Sequence, residues 1–154
     1  MPSRRGDIAM TSTEVRAYLG EVRQLTVATL LPDGSPHLVA MSFVLMNGAP
    51  AFVSYAKSQK VSNLRRDPRM SVLACSGDCY ANYRGVQLTG TGTLVEDPEA
   101  VLELMRLIAA RDVSPGMAAG LPGELRAQAP KRVGLMFRME RYASWDHRKL
   151  KGRY

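Results

Sequence analysis

The chain is poor in the side chains most used for metal binding and covalent chemistry. Its 154 residues hold two histidines and two cysteines. Cys75 and Cys79 have three residues between them, in a region that reads as strand and turn. A zinc site needs more ligands than these, and a disulfide is not expected in a reducing compartment. The two are read as unpaired structural thiols.

Acidic residues are also scarce. Fourteen Asp and Glu face 21 Lys and Arg, for a net charge of +7. That excess suits nucleic acid, an anionic membrane surface or an anionic small molecule. No helix-turn-helix, zinc-finger or RNA-binding signature is present. The basic residues are spread over the N-terminus, a central turn and the C-terminus, so nucleic acid is not expected as a partner. No run is apolar and long enough to span a bilayer, so no stable membrane insertion is expected. The N-terminal MPSRRGDIAMT lacks an apolar signal core and reads as cytoplasmic. A polyanionic small molecule gathered by segments distant in sequence accounts for the charge.

What is present is enough for one domain, with 45% hydrophobic residues. Residues 1–10, with Arg4 and Arg5, read as a flexible basic arm, and residues 11–154 as the domain. Thr11 and Glu14 have the spacing of a capping box, and Val15, Tyr18, Leu19 and Val22 form the apolar stripe of the helix that follows. Gln24 to Leu31, Pro36 to Leu45 and Ala49 to Ser54 read as strands, with turns at Asp33-Gly34 and Asn47-Gly48. A three-stranded meander that closes into a barrel is expected. Met70 to Cys75 and Tyr80 to Thr93 are further strands, the second marked for bulges by Gly85, Gly90 and Gly92. Asp97-Pro98-Glu99 opens an apolar helix that ends near Arg111. Residues 114–128 are rich in loop formers, with a helix over 122–129, and Arg132 to Arg141 is the last strand.

The stretch Ala51 to Arg69 holds the candidate site. It begins as a strand, becomes a helix with Val61 and Leu64 on one face, and stops before Pro68. Ser54, Lys57, Ser58 and Lys60 stand at the handover. The first turn of a helix has unpaired N–H groups and partial positive charge. Ammonium groups and hydroxyls added there form a site for a phosphate. A solvated basic turn is the plain alternative.

Ser54, Ser58, Lys60, Leu64, Asp67 and Pro68 resemble the phosphate-binding segment of the pyridoxamine-phosphate-oxidase-like flavin and deazaflavin reductases. The order of the other segments is similar too, including Gly90 to Asp97 and the tail Tyr142 to Tyr154 with Trp145. The resemblance implies a mainly β fold, an antiparallel split β-barrel with peripheral helices, and a homodimer with the cofactor at its interface. It implies that Val39, Met41 and Ser42 lie along the ring of the cofactor, although strict alternation would put Met41 and Ser42 on opposite faces. It also implies that Trp145, Arg148 and Lys149 cross towards the cofactor of the partner subunit.

Within that resemblance, Lys57 is closer to the deazaflavin branch. The function it implies is an F420-dependent reductase passing a hydride to an unsaturated small molecule. FMN in the same cleft is the alternative, but Gln59 stands where the oxidase has an Arg beside Lys60. A protein that holds a cofactor or tetrapyrrole without turnover is a third reading. No general acid stands out. His37, Tyr80 and Tyr83 are the candidates.

Overall fold

The computed structural model describes residues 4–112 and 121–151. The first part of the expected loop-forming stretch 114–128, up to residue 120, lies outside them, as do the first three residues and Arg153 of the basic tail. Seven strands form one antiparallel sheet: β1 (Gln24–Leu30), β2 (Pro36–Ser42), β3 (Val44–Met46), β4 (Ala49–Tyr55), β5 (Arg69–Ser76), β6 (Arg84–Val95) and β7 (Arg132–Asp146). Their order is β2-β1-β5-β6-β7-β4-β3. The sheet curls into a split β-barrel, with α1 (Arg5–Ile8), α2 (Ser12–Glu21), α3 (Gln59–Arg66), α4 (Pro98–Asp112) and α5 (Leu121–Gln128) around it. The mainly β, split-barrel reading therefore holds. Among the described residues, no helix is long and apolar enough to cross a membrane.

The meander does not form. The apolar run PHLVAMSFVLM breaks at Phe43, and its two halves become the opposite margins of the sheet. β2 pairs with β1, whereas β3 pairs with β4 and β4 with β7. Phe43 is fully buried at the break and packs against Phe52. One continuous stretch of chain thus bridges the split. Arg111, from the last turn of α4, holds the bridge. Its Nη1 donates to the Phe43 carbonyl at 2.8 Å, and its Nη2 reaches the carbonyls of Leu19, Gly20 and Val22 at the end of α2. Those carbonyls lack helical partners of their own, so a guanidinium is a fitting cap.

Two apolar clusters form the interior. Alternate residues of β1 and β5, Leu25, Val27, Met70 and Val72, meet Val86 and Leu88 of β6 and Tyr18 and Leu19 of α2. A smaller cluster of Val101, Leu102, Met105 and Ala129 covers Val53 of β4. The capping box is formed: the Glu14 amide donates to Thr11 Oγ1 and the Thr11 amide to Glu14 Oε2.

The N-terminal arm contains the helical turn α1, and Met10 behind it is buried. Two other expectations are corrected. Residues Tyr80–Asn82 form a 3-10 turn rather than strand, so β6 begins at Arg84. The last strand does not stop at Arg141 but runs to Asp146, taking Trp145 with it. The extension is possible because β6 is long enough to pair with it, Gly85 facing Trp145. The glycine-marked bulge is present: Thr89 pairs with Arg141 and Gly90 with Met139, leaving Glu140 as the extra residue. A Cβ at Gly90 would collide with the Arg138 carbonyl.

Candidate anion-binding cleft

A cleft of about 390 Å³ opens where β2 approaches β4, roofed by α4 and α5. That volume is in the range of small-molecule sites. Its floor is Val39, Ala40, Met41 and Ser42 of β2 with Val53, Ser54 and Tyr55 of β4. Met105, Ile108, Ala109 and Leu125 make the roof apolar, and Lys60, Gln128 and Arg132 give it a polar end. Successive residues of β2 all reach the cleft because β2 is a sheet margin, open on its free edge as well as on a face. Met41 is at the same time a buried member of the larger apolar cluster.

The polar end is built by the handover from β4 to α3. Ser54 is buried, its Oγ 3.0 Å from Ser58 Oγ, and Lys60 Nζ donates to Ser54 Oγ at 3.0 Å. Ser58 sits at the start of α3 without capping its amides through the side chain. Its hydroxyl is instead turned towards Ser54. Burial, with Arg132 nearby as a second cause, holds the Lys60 ammonium below the usual lysine pKa. Lys57 is exposed on the turn and does not line the cleft.

Arg132 was not among the sequence candidates. It opens β7, pairs in register with Tyr55, and lays its guanidinium over the Tyr55 ring, with Cζ 3.6 Å from the ring centre. It lies far from Lys60 in sequence and reaches it only through the β4–β7 register. An Arg at the start of a strand carries no local signal of that.

The tail residues lie elsewhere on this chain. Trp145 packs over Gly85 and lines a separate groove with Arg5, Met10 and Tyr142. Arg148 forms a two-pronged pair with Asp146, at 2.9 and 2.6 Å. Lys149 Nζ donates to the Ala9 carbonyl and to Glu14 Oε2, each at 2.7 Å. None of the three lines the cleft of their own chain.

The proton-donor candidates are also apart from it. His37 lies in β2 with a buried Nδ1 that has no partner. Tyr80 and Tyr83 cluster with His147, whose Nδ1 is 2.9 Å from the Tyr80 carbonyl. Cys75 and Cys79 are free thiols, both exposed. Among the described residues, no group of three or more His, Cys, Asp or Glu forms a metal site.

The family model for pyridoxamine 5'-phosphate oxidase matches residues 11–146. The chain belongs to that family. Among solved structures, a conserved hypothetical protein of Mycobacterium tuberculosis is 39% identical, with a TM-score of 0.88 over 97% of this chain and 92% of that one. An F420 reductase aligns with a TM-score of 0.60 at 22% identity, over 83% of this chain and 94% of that one. An FAD binding protein of Mycobacterium smegmatis aligns at 0.63 with 17% identity, over 88% of this chain and 96% of that one. The last two likenesses are of fold. No curated protein matches the chain. As a member of the oxidase family, this chain has its Ser54–Ser58–Lys60 corner in the segment where the sequence resemblance expected the phosphate site.

Proposed function

We propose that the protein is an oxidoreductase that holds a flavin-type cofactor in this cleft, and that the cofactor is the deazaflavin F420. The observation that carries the reading is the Lys60–Ser54–Ser58 hydrogen-bonded corner at the end of a cleft floored by Val39 to Ser42. The corner offers an ammonium and hydroxyls to a phosphoryl group, and the apolar floor and roof offer van der Waals contact to a ring system. When bound, such a cofactor supplies the hydride.

The chain's own residues bind, orient and shelter it. Lys60, Ser54 and Ser58 hold the phosphoryl end. Met41, Val39 and Ser42 lie against the ring, and the α4–α5 roof excludes water. Lys57, exposed on the turn, lies towards the outer charges that F420 has and FMN lacks. The net charge of +7 fits a multiply anionic ligand. The fold likeness to an F420 reductase is a further support.

The working unit in this reading is a homodimer. The face of the sheet opposite the core carries small and apolar side chains in register: Leu38 beside Ala28 and Ser71, and Ala40 beside Thr26 and Leu73. Leu38 is 61% exposed in the single chain. A second copy seated on that face would cover it, and would bring its own Trp145, Arg148 and Lys149 towards this cleft.

The test is titration of purified protein with F420 and with FMN, read by fluorescence. Micromolar or tighter binding of F420 and weaker binding of FMN are expected. Lys60→Ala should weaken F420 binding about ten-fold or more, since a charge-assisted hydrogen bond contributes about 1.5–3 kcal/mol. Co-purification of FMN that F420 does not displace would reverse the cofactor assignment. A monomer by light scattering at working concentration would remove the dimer.

A further inference from the structure

The groove beside Trp145 is larger than the cofactor cleft, at about 830 Å³, and no residue of the Lys60 corner lines it. One wall is α1 and the two residues after it, and the other is β6 with the end of β7. The walls are tied together. The Met10 amide donates to Ser144 Oγ at 3.0 Å, and Lys149 Nζ to the Ala9 carbonyl at 2.7 Å. The aromatic surface of the groove is Trp145, seated over Gly85, and Tyr142, which is 43% exposed. Arg5 is the one Lys or Arg among the described residues that line it, and none of them is Asp or Glu. Open aromatic surface beside a guanidinium, in a concave setting, is characteristic of a ligand site.

His147 also lines the groove, and it is held by residues that do not. Its Nδ1 lies 2.9 Å from the Tyr80 carbonyl, and its amide donates to the Tyr83 carbonyl at 2.9 Å. Its ring packs edge-on against Tyr80, with 4.5 Å between centres. A carbonyl only accepts, so the proton is on Nδ1 and Nε2 is the nitrogen left for a ligand. A seated indole and an imidazole of fixed tautomer make a preorganised surface, which lowers the entropic cost of binding.

We infer that this groove is a second small-molecule site and that it takes a planar aromatic carboxylate. The ring lies against Trp145 and Tyr142, the carboxylate pairs with Arg5, and Nε2 of His147 serves a second polar group of the ligand. Conjugation keeps a carboxylate in the plane of its ring, which suits an aromatic surface with an exposed guanidinium beside it. The inference is independent of the cofactor reading, because it draws on none of the cleft residues.

The test is titration of the wild-type protein with 6-hydroxy-2-naphthoate, followed by nitrogen–proton and carbon–proton spectra. Trp145 is the only Trp and His147 one of two His, so the indole N–H is unique and the imidazole is assigned by its loss in His147→Asn. Both signals are expected to move on one binding curve, with a Kd of about 1 mM or tighter, while the His37 signals stay in place. Cyclohexanecarboxylate, which is not planar, and 2-naphthol, which has no carboxylate, should each bind about ten-fold more weakly or worse. Arg5→Gln should weaken the probe by a similar factor, with the thermal midpoint recorded beside it. Stationary Trp145 and His147 signals at about 10 mM probe would overturn the inference. Equal binding of the three compounds to the wild type would do so too, and decides the matter even if Arg5→Gln folds poorly. Lys60→Ala separates this site from the cofactor cleft. It should leave the affinity for the probe unchanged while weakening F420. A probe weakened by Lys60→Ala would belong in the cleft and end the inference, whereas unchanged F420 binding would end the cofactor reading and leave the groove standing.

Discussion

The guanidinium of Arg111 lies over the ring of Phe43, with Cζ 4.1 Å from the ring centre, and donates to the carbonyl of the same residue. One side chain thereby holds the end of α4, the end of α2 and the point where the barrel is bridged. α4 also supplies Met105, Ile108 and Ala109 to the roof of the cleft. Replacing Arg111 by Met keeps apolar contact with Phe43 and removes every donor to the four carbonyls. A loss of about 2–4 kcal/mol is expected from the charged hydrogen bonds, measured by urea unfolding. A loss under half a kcal/mol, on the order seen for ordinary surface changes, would show that the contact does not hold the bridge.

Gly85 makes room for Trp145. A Cβ at Gly85 would overlap the indole. Gly85→Ala should cost roughly 1–3 kcal/mol as an overpacked contact. Because Trp145 is the only Trp, its fluorescence reports the displacement directly, and emission is expected to shift to longer wavelength. Unchanged emission would mean that the indole is not seated on Gly85.

Asp146 is buried, and the Arg148 guanidinium beside it holds its carboxyl below the usual range. The folded pKa is lower than the unfolded one, so the pair stabilises the protein fully above the unfolded value, about 3.9. That contribution is lost as pH falls through the folded value. Asp146→Asn should therefore be less stable at neutral pH, with a shallower fall in stability below about pH 5 than the wild type shows. Parallel acid limbs would count against the pairing.

Lys60 gives the opposite dependence in binding. Its pKa in the free protein is lowered by burial and by Arg132, and a bound anion raises it. Binding then takes up a proton once pH exceeds the free-state value. Cofactor affinity should fall as pH rises through that value, by at most about ten-fold per pH unit for one proton. Lys60→Arg, which does not titrate in this range, should show a flatter profile. Equal slopes for the two proteins, from fluorescence titrations at a series of alkaline pH values, would remove Lys60 from the ligand contacts.

Local features were legible in the sequence because their physics is local. Thr11 and Glu14 lie one helical turn apart, and Ser54, Ser58 and Lys60 lie within a single strand-to-helix handover, so both could be read from spacing. Strand pairing could not. The run through Phe43 is apolar on both sides of the break, and nothing in its period marks where one margin of the sheet becomes the other. Arg132 was missed for the same reason: its neighbour across the sheet is Tyr55, a relation fixed by register and not by sequence distance. The strand character of Tyr142 to Asp146 was hidden because it lacks an alternating pattern: the adjacent Tyr142 and Ala143 are both exposed, and the buried residue is Asp146.

The bridge at Phe43 has a mechanical corollary. The outermost strands are joined by a single buried residue, so neither can peel away from its neighbour without dragging an aromatic ring out of the interior. Fraying, which in an open sheet begins independently at each side, is here coupled across the whole barrel. The amides of β2 and β3 should accordingly exchange with solvent as one cooperative unit, and the mouth of the cleft should loosen only when both do.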